Sequence, residues 1–140
     1  MDAQDWVQQP PPDLRGAIWH WELDSVAQLP RARAELRQLL RTSAPAEADD
    51  ALEERVLLTF EELASNGLRH GGKPVQARVV AAENGLLIEV SDAVTERPPT
   101  PAVGRDPALG GLGLYLVAGL TAAHGWLATA GRKSVWAYCR

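Results

Sequence analysis

Cysteine is nearly absent from this 140-residue chain, and basic residues do not exceed acidic ones. A single cysteine, Cys139, excludes an intramolecular disulfide, and no second Cys or His stands near it at metal-ligand spacing. With 14 basic and 18 acidic residues the formal charge is -4, so the sequence lacks the basic surplus on which nucleic-acid binding relies. We therefore expect neither a disulfide nor a direct nucleic-acid ligand.

Long apolar runs and a basic amino-terminal stretch are also missing. No run approaches the roughly 18 apolar residues that a membrane span needs, so no membrane partner is expected. The first 13 residues are acidic and proline-rich, unlike a secretory signal, which together with the lone thiol favours a cytoplasmic location. Because three consecutive prolines cannot donate backbone hydrogen bonds, we interpret residues 1–15 as a flexible tail and 16–140 as one domain.

Hydrophobic periodicity predicts an α+β fold. Alternating residues over 17–23 predict a strand on which Trp19 and Trp21 share a core-facing side. Helical spacing and turn signals predict the rest, namely helices over about 24–42, 49–68 and 112–124 and strands over 75–82, 86–92, 126–130 and 134–139. Residues 93–110 are predicted to form a long loop, which is typical of a functional lid or a disordered segment, and we interpret them as a lid. The order indicates a two-layer sandwich with a mixed, mainly antiparallel sheet and helices on one face.

The first half of the second predicted helix is acidic. It carries Asp49, Asp50, Glu53 and Glu54, which are favourable beside the positive end of the helix dipole. We interpret these four side chains as a solvated face.

Polar residues recur along the second half of the same helix. Glu62, Asn66 and His70 are four residues apart, so they project from one face. Such a row is either a wet face or a site, and its position directly before a glycine break favours the site. An amide oxygen can ligate Mg²⁺, while a carboxylate one turn away can take a proton from a nucleophile.

Two further elements carry candidate binding groups. Asp92 ends an apolar strand, where it either caps a turn or accepts a hydrogen bond from an exocyclic amine such as that of adenine. Gly111 and Gly113 follow the long loop and open a helix, where backbone N–H groups can approach an anion closely. The glycines match neither the P-loop nor the dinucleotide fingerprint, but the three elements in this order, with a lid between the last two, are a stronger signal.

Together these motifs resemble the GHKL ATPase superfamily and, within it, the small anti-sigma factor serine kinases of bacteria. The E-L-x-x-N-x-x-x-H-G motif stands at residues 62–71, the next aspartate is Asp92, the G-x-G-L motif is 111–114, and a G-x-x-[ST]-V-W stretch is 131–136. The resemblance covers nearly the whole domain. It implies the ATP-binding α/β sandwich, called the Bergerat fold, of gyrase and the sensor histidine kinases.

The resemblance also implies a role for each matching residue. Glu62 is the implied general base that activates a protein serine, and Asn66 is the implied ligand of a Mg²⁺ that bridges the phosphates of ATP. Asp92 is expected to read adenine, and Ser134 to support the adenine pocket from its strand. The other implied nucleotide-binding residues are His70, Arg105 in the lid, Gly111, Gly113 and Leu114.

Partners follow from the same resemblance. Proteins of this family act on anti-anti-sigma proteins of the STAS fold, sequester a sigma factor, and commonly form homodimers. The leading interpretation is therefore an ATP-dependent serine/threonine kinase in transcription regulation. The alternative is a catalytically weak or inactive nucleotide-binding module that sequesters a sigma factor or another regulator. The absence at residues 93–96 of the glycines that often follow the family aspartate favours this alternative, whereas the intact Glu62–Asn66 pair favours the kinase.

A third interpretation is the stand-alone ATPase half of a histidine kinase. It requires a histidine within a two-helix dimerisation segment. His20 falls on a predicted strand, His70 in the nucleotide motif and His124 at the end of the third predicted helix. The sequence therefore disfavours this interpretation.

Overall fold

The computed structural model describes residues 6–43, 49–95 and 112–140. Its elements, in chain order, are β1 (Gly16–Leu23), a 3₁₀ turn (Val26–Gln28), α1 (Leu29–Ser43), α2 (Asp50–His70), β2 (Val75–Ala82), β3 (Gly85–Asp92), α3 (Leu112–Leu120), β4 (Ala123–Thr129) and β5 (Arg132–Cys139). None of the helices in these ranges is both long and apolar enough to cross a membrane.

The five strands form one sheet in the order β1-β2-β3-β5-β4, and every neighbouring pair is antiparallel. The helices lie on one face of this sheet, where α2 packs on β2, β3 and β5, and α1 and α3 both contact α2. The predicted α+β sandwich, with a mainly antiparallel sheet and helices on one face, is confirmed.

The core lies between α2 and the sheet. The buried stripe of α2 recurs at helical spacing and includes Val56, Phe60 and Leu63, all almost fully buried. Alternate residues of the central strands meet this stripe. As the strand pattern predicts, Trp19 and Trp21 pack against the core, and the ring of Trp21 meets that of Phe60 edge-on at 5.1 Å.

Two predicted boundaries need correction. The third helix ends at Leu120 instead of reaching residue 124, and His124 lies on β4. Sheet pairing decides this boundary, because Ala123 pairs with Tyr138 and the strand opposite is already in place. The first helix also starts later, since Ser25 caps the 3₁₀ turn and α1 begins at Leu29. A short apolar run fits the helical period and the strand period equally well, so pairing with distant strands determines which structure forms.

The acidic half of α2 is only partly a solvated face. Asp49 is the N-cap, accepting a hydrogen bond from the Leu52 amide at 2.8 Å. Glu53 is buried, and its carboxylate lies 2.9 Å from the Arg41 Nε and 3.8 Å from the Arg37 Nε. The solvated-face interpretation is therefore wrong for Glu53, which links α2 to α1 through ion pairs.

Residues 6–9, predicted to belong to a flexible tail, are docked on the sheet. The Trp126 amide donates to the Val7 carbonyl at 3.1 Å, and the Gln9 amide donates to the Trp126 carbonyl at 2.9 Å. Trp6 is buried, with its ring centroid 4.7 Å from that of His124. The flexible-tail expectation is wrong for these residues, because the free edge of β4 offers backbone partners and the Trp6 ring has a core position to fill.

The same segment continues onto the helix-free face of the sheet. There the Trp136 Nε1 donates to the Gln9 carbonyl at 2.9 Å, and Leu14 packs on a small cluster of Val80, Leu87 and Trp136. Residues 6–15 therefore run from β4 at one edge of the sheet to β1 at the other edge. Apolar residues of the central strands are covered on both faces as a result.

Replacing Trp6 by alanine should lower the free energy of unfolding by about 3 kcal/mol, the usual cost of truncating a buried aromatic residue. Urea unfolding followed by circular dichroism measures this change. Ile18, which is half exposed on β1, supplies the control, since Ile18→Ala should change stability by about 0.5 kcal/mol or less. If Trp6→Ala is as stable as the wild type, the docked position of residues 6–9 is not correct.

Candidate functional site

The carboxyl-terminal half of α2 carries the predicted polar row. Glu62 and Asn66 are half-buried, and His70 is exposed at the last position of the helix. The helix ends where the Gly71 amide donates to the Gly67 carbonyl at 2.8 Å. The row therefore extends from the middle of the packed helix to its end, as its spacing predicts.

The carboxylate of Glu62 lies directly against Gly113 in the first turn of α3. It fills the space that a Cβ on Gly113 would occupy, so a larger residue there would force one of the two groups to move. The amino end of a helix also favours a negative charge. Two residues predicted from separate motifs are thus brought into contact by the packing of α3 on α2.

The environment of Glu62 raises the pKa of its carboxyl group. Burial is the main cause, the neighbouring charge of Glu61 adds to it, and Arg69 partly opposes both. A general base works best when its pKa approaches the operating pH. The shift therefore moves Glu62 in the direction that proton transfer requires.

Asp92 is buried at the end of β3, beside the end of α2. Its Oδ1 accepts a hydrogen bond from the Val94 amide at 2.8 Å, and its Oδ2 lies 3.6 Å from the Nζ of Lys133. A Cβ on Gly71 would lie only 2.5 Å from the Asp92 Cγ, so glycine is needed there for this approach. Through this bond to Val94, Asp92 caps the turn that follows β3.

Residues 93 and 94 fold back onto the glycine turn that ends α2. The Ala93 amide donates to the Gly72 carbonyl at 2.8 Å, and a methyl group of Val94 lies against Gly72. The chain that leaves β3 is therefore tied to the chain that leaves α2. Together these two turns enclose the side chain of Asp92.

Ser134 does not lie beside Asp92, which corrects its assignment to an adenine pocket. The register of β3 and β5 places Lys133 opposite Asp92 and Ser134 opposite Ser91. Since Val135 belongs to the core under the helices, alternation puts Lys133 on the same face as Val135 and Ser134 on the helix-free face. Counting back from Val135 would have identified Lys133, the site residue that sequence reasoning missed.

A cavity of about 260 Å³ opens beside Glu62, between α2 and the segment where the 3₁₀ turn meets α1. One wall is apolar and the other belongs to α2. The lining residues are Val26, Leu29, Pro30, Glu61, Glu62, Ser65 and Arg69. Glu62 is therefore reachable from outside through this groove.

Of the three remaining predicted site residues, the structure describes only Leu114. Leu114 is buried in the core beneath α3, while Arg105 and Gly111 lie outside the described residues, as does the lid beyond Thr95. Over residues 6–43, 49–95 and 112–140 there is no cluster of three or more His, Cys, Asp or Glu residues that could hold a metal ion.

A model of the histidine kinase-like ATPase domain matches residues 24–138, most of the chain. The chain belongs to the histidine kinase-like ATPase domain family. The predicted GHKL resemblance is thereby confirmed. Membership in this ATPase family implies an ATP-binding role.

Solved structures agree with this family on the fold. The RsbU and RsbW domains of Rv1364c from Mycobacterium tuberculosis align with a TM-score of 0.63 and 18% identity over 89% of this chain. The histidine kinase-like ATPase domain described here spans 32% of that longer chain. Identity this low supports the fold alone. A comparison with curated proteins gives no match.

Gly113→Ala should destabilise this ATPase domain by about 1 to 3 kcal/mol, because the added methyl group meets the Glu62 carboxylate. Gly119, exposed on the same helix, is the matched control, and Gly119→Ala should be neutral or stabilising by up to about 1 kcal/mol. Thermal unfolding compares the two. In a Glu62→Ala background the cost of Gly113→Ala should disappear, and a cost that persists would show that the contact is misassigned.

Glu62 should make the stability of the domain depend on pH. Its pKa is raised from the ordinary 4.5 in the folded state, so the folded state holds this proton more tightly than the unfolded state. The free energy of unfolding therefore falls as the pH rises above about 4.5. Glu62→Gln should be more stable than the wild type at pH 7 and no more stable near pH 4. Urea titrations between pH 4 and 8 measure the difference in the free energy of unfolding between Glu62→Gln and the wild type. A difference that does not grow with pH would contradict this prediction.

Proposed function

We propose that this chain is an ATP-binding regulator that phosphorylates a serine or threonine of a STAS-type anti-anti-sigma protein in the cytoplasm. The observation that carries the proposal is the half-buried Glu62 carboxyl group, whose pKa is raised and which lies against Gly113, one helical turn from Asn66. Family membership supports the ATP-binding part. The resemblance of the motif at residues 62–71 to the anti-sigma factor serine kinases supports the anti-sigma part, with a sigma factor as the second partner.

The residues present fit a magnesium nucleotide. Asn66 is half-buried on α2, one turn from Glu62, and the close approaches of Gly113 to Glu62 and of Gly71 to Asp92 bring α3 and β3 to the two ends of this polar row. Mg²⁺ is commonly held by one or two protein oxygens together with substrate phosphates and water, so a single amide can serve without an acidic cluster. When bound, Mg²⁺-ATP supplies the phosphoryl group that is transferred.

Each residue then has a definite task. Glu62 accepts the proton of the attacking hydroxyl, and Asn66 holds the metal. Asp92 offers a carboxylate to the exocyclic amine of the base, and the groove beside Glu62 admits the acceptor segment of the partner. Such a site acts mainly through positioning and charge neutralisation. Arg105 and Gly111, which lie outside the described residues, are the further residues that we assign to the phosphates of ATP.

A second candidate function is a catalytically weak module that sequesters a sigma factor or another regulator. Two observations favour it. Asp92 is 2% exposed and paired with Lys133, and Val94 and Glu96 stand where the family's D-x-G-x-G motif has the glycines that would leave the chain beside the base free. In this function the same fold presents a docking surface without turnover.

Calorimetry and phosphorylation of a STAS partner distinguish the two functions. Asn66→Ala should lose the Mg²⁺-dependent part of ATP affinity. Glu62→Ala should bind ATP like the wild type but phosphorylate the partner at least about 100-fold more slowly, the lower range for general-base catalysis. Glu54→Ala, an exposed acid earlier on α2, should leave both properties unchanged.

Three results would overturn the kinase proposal. One is the absence of ATP binding at millimolar concentration. A second is equal phosphorylation by the wild type and Glu62→Ala. A third is partner binding without any phosphoryl transfer, and this outcome would leave the sequestering function in place.

A further inference from the structure

A buried ion pair closes the end of the site at which the base would bind. Lys133 is 4% exposed and Asp92 is 2% exposed, although both belong to residue types that usually reach solvent. Their strands hold them directly opposite each other, and the Nζ–Oδ2 distance is 3.6 Å. That separation is longer than the 2.7 to 2.9 Å typical of a charge-assisted hydrogen bond, so the pair is held by charge and burial more than by a short bond.

We propose that Lys133 is an internal competitor for Asp92, so that a purine nucleotide gains this carboxylate only when the Lys133–Asp92 pair opens. This inference rests on the proposed function, since it concerns the same nucleotide site. In this inference Lys133 lowers the affinity of the site for the base of the nucleotide. It takes no part in phosphoryl transfer.

The surroundings of Asp92 leave little alternative access. Its Oδ1 is engaged by the Val94 amide, and the Ala93 amide is tied to the Gly72 carbonyl, so the strand-end segment covers the carboxyl group from one side. The close approach of Gly71 covers another. A carboxylate has spare lone pairs, but at 2% exposure they do not face solvent. Movement of the lysine side chain on its flexible stem is the simplest way to expose them.

The competition follows from charge. A lysine ammonium that is buried with a carboxylate loses compensation for its charge when that carboxylate turns to a ligand. Binding therefore has to offset the cost of moving Lys133 to solvent or to another partner. A short neutral side chain at position 133 would remove this cost and leave space where the four-carbon stem lies.

Lys133→Thr should therefore bind adenosine nucleotides at least about tenfold more tightly than the wild type, because binding no longer has to separate a buried ion pair. Calorimetric titration with adenosine in Mg²⁺-free buffer and with Mg²⁺-ATP measures it. The gain should appear with both ligands, because adenosine lacks the phosphates that involve Asn66. Lys133→Gln, which keeps the stem without the charge, should show a smaller gain in the same direction.

Two controls separate this effect from a general change of charge. Arg132→Thr removes one positive charge from the neighbouring position on the opposite face of β5 and should leave affinity unchanged. Asp92→Asn in the Lys133→Thr background should abolish the gain, because the gain requires the carboxylate. Thermal unfolding of each variant verifies that the nucleotide titrations report folded protein.

The outcomes separate the inference from the proposed function. If the wild type binds ATP and neither Lys133→Thr nor Lys133→Gln binds more tightly, the inference fails and the proposed function stands. Weaker binding by both variants would show that Lys133 contacts the ligand, and it also overturns the inference. If no variant binds any nucleotide, both fail.

Discussion

The candidate site depends on one constraint, namely that α2 is held in a fixed orientation about its own axis. Val56, Phe60 and Leu63 are almost fully buried against the sheet, so the helix cannot turn without exposing them, at about 25 cal/mol for each Å² of apolar surface. With that stripe fixed, Glu62 faces the first turn of α3, and the end of the helix meets Asp92 through Gly71. Packing of the apolar face thus orients the polar row beside it.

The same helix is held from its other flank by charge. Arg33 of α1 lies 3.5 Å from the Glu61 carboxylate, and Arg37 and Arg41 both reach Glu53. The pairs with Glu53 matter most, because that carboxylate is buried and loses its compensation if the arginines move. The exposed pair between Arg33 and Glu61 contributes far less. The amino-terminal half of α2 is therefore held in place by ion pairs, and its carboxyl-terminal half by close contacts with glycines.

Much of this arrangement is readable from the sequence because the decisive signals are local. Helical spacing over α2 and the Asn84-Gly85 turn between β2 and β3 predict those elements, and the α2 motif together with Asp92 predicts where the site lies. Long-range pairing decides the rest. The docking of Trp6 and the assignment of His124 to a strand depend on β4 and its partners. The sequence motif points to Ser134, whereas Lys133 is the residue beside Asp92. The two differ by one position, and one position along a strand places the side chain on the opposite face.

Asp92 and Glu62, the two acidic residues of the candidate site, differ in how far a neighbouring positive charge offsets their burial. Asp92 lies beside a buried ammonium, whereas Glu62 has Arg69 to oppose its burial only in part, and its pKa is raised. In the proposed function, a ligand that brought negative phosphates toward Glu62 would make that carboxylate harder to ionise, while a ligand that used Asp92 would separate this carboxylate from Lys133. Both effects would act through charge, so nucleotide binding in the proposed function would change the protonation of Glu62 as well as the pairing of Lys133.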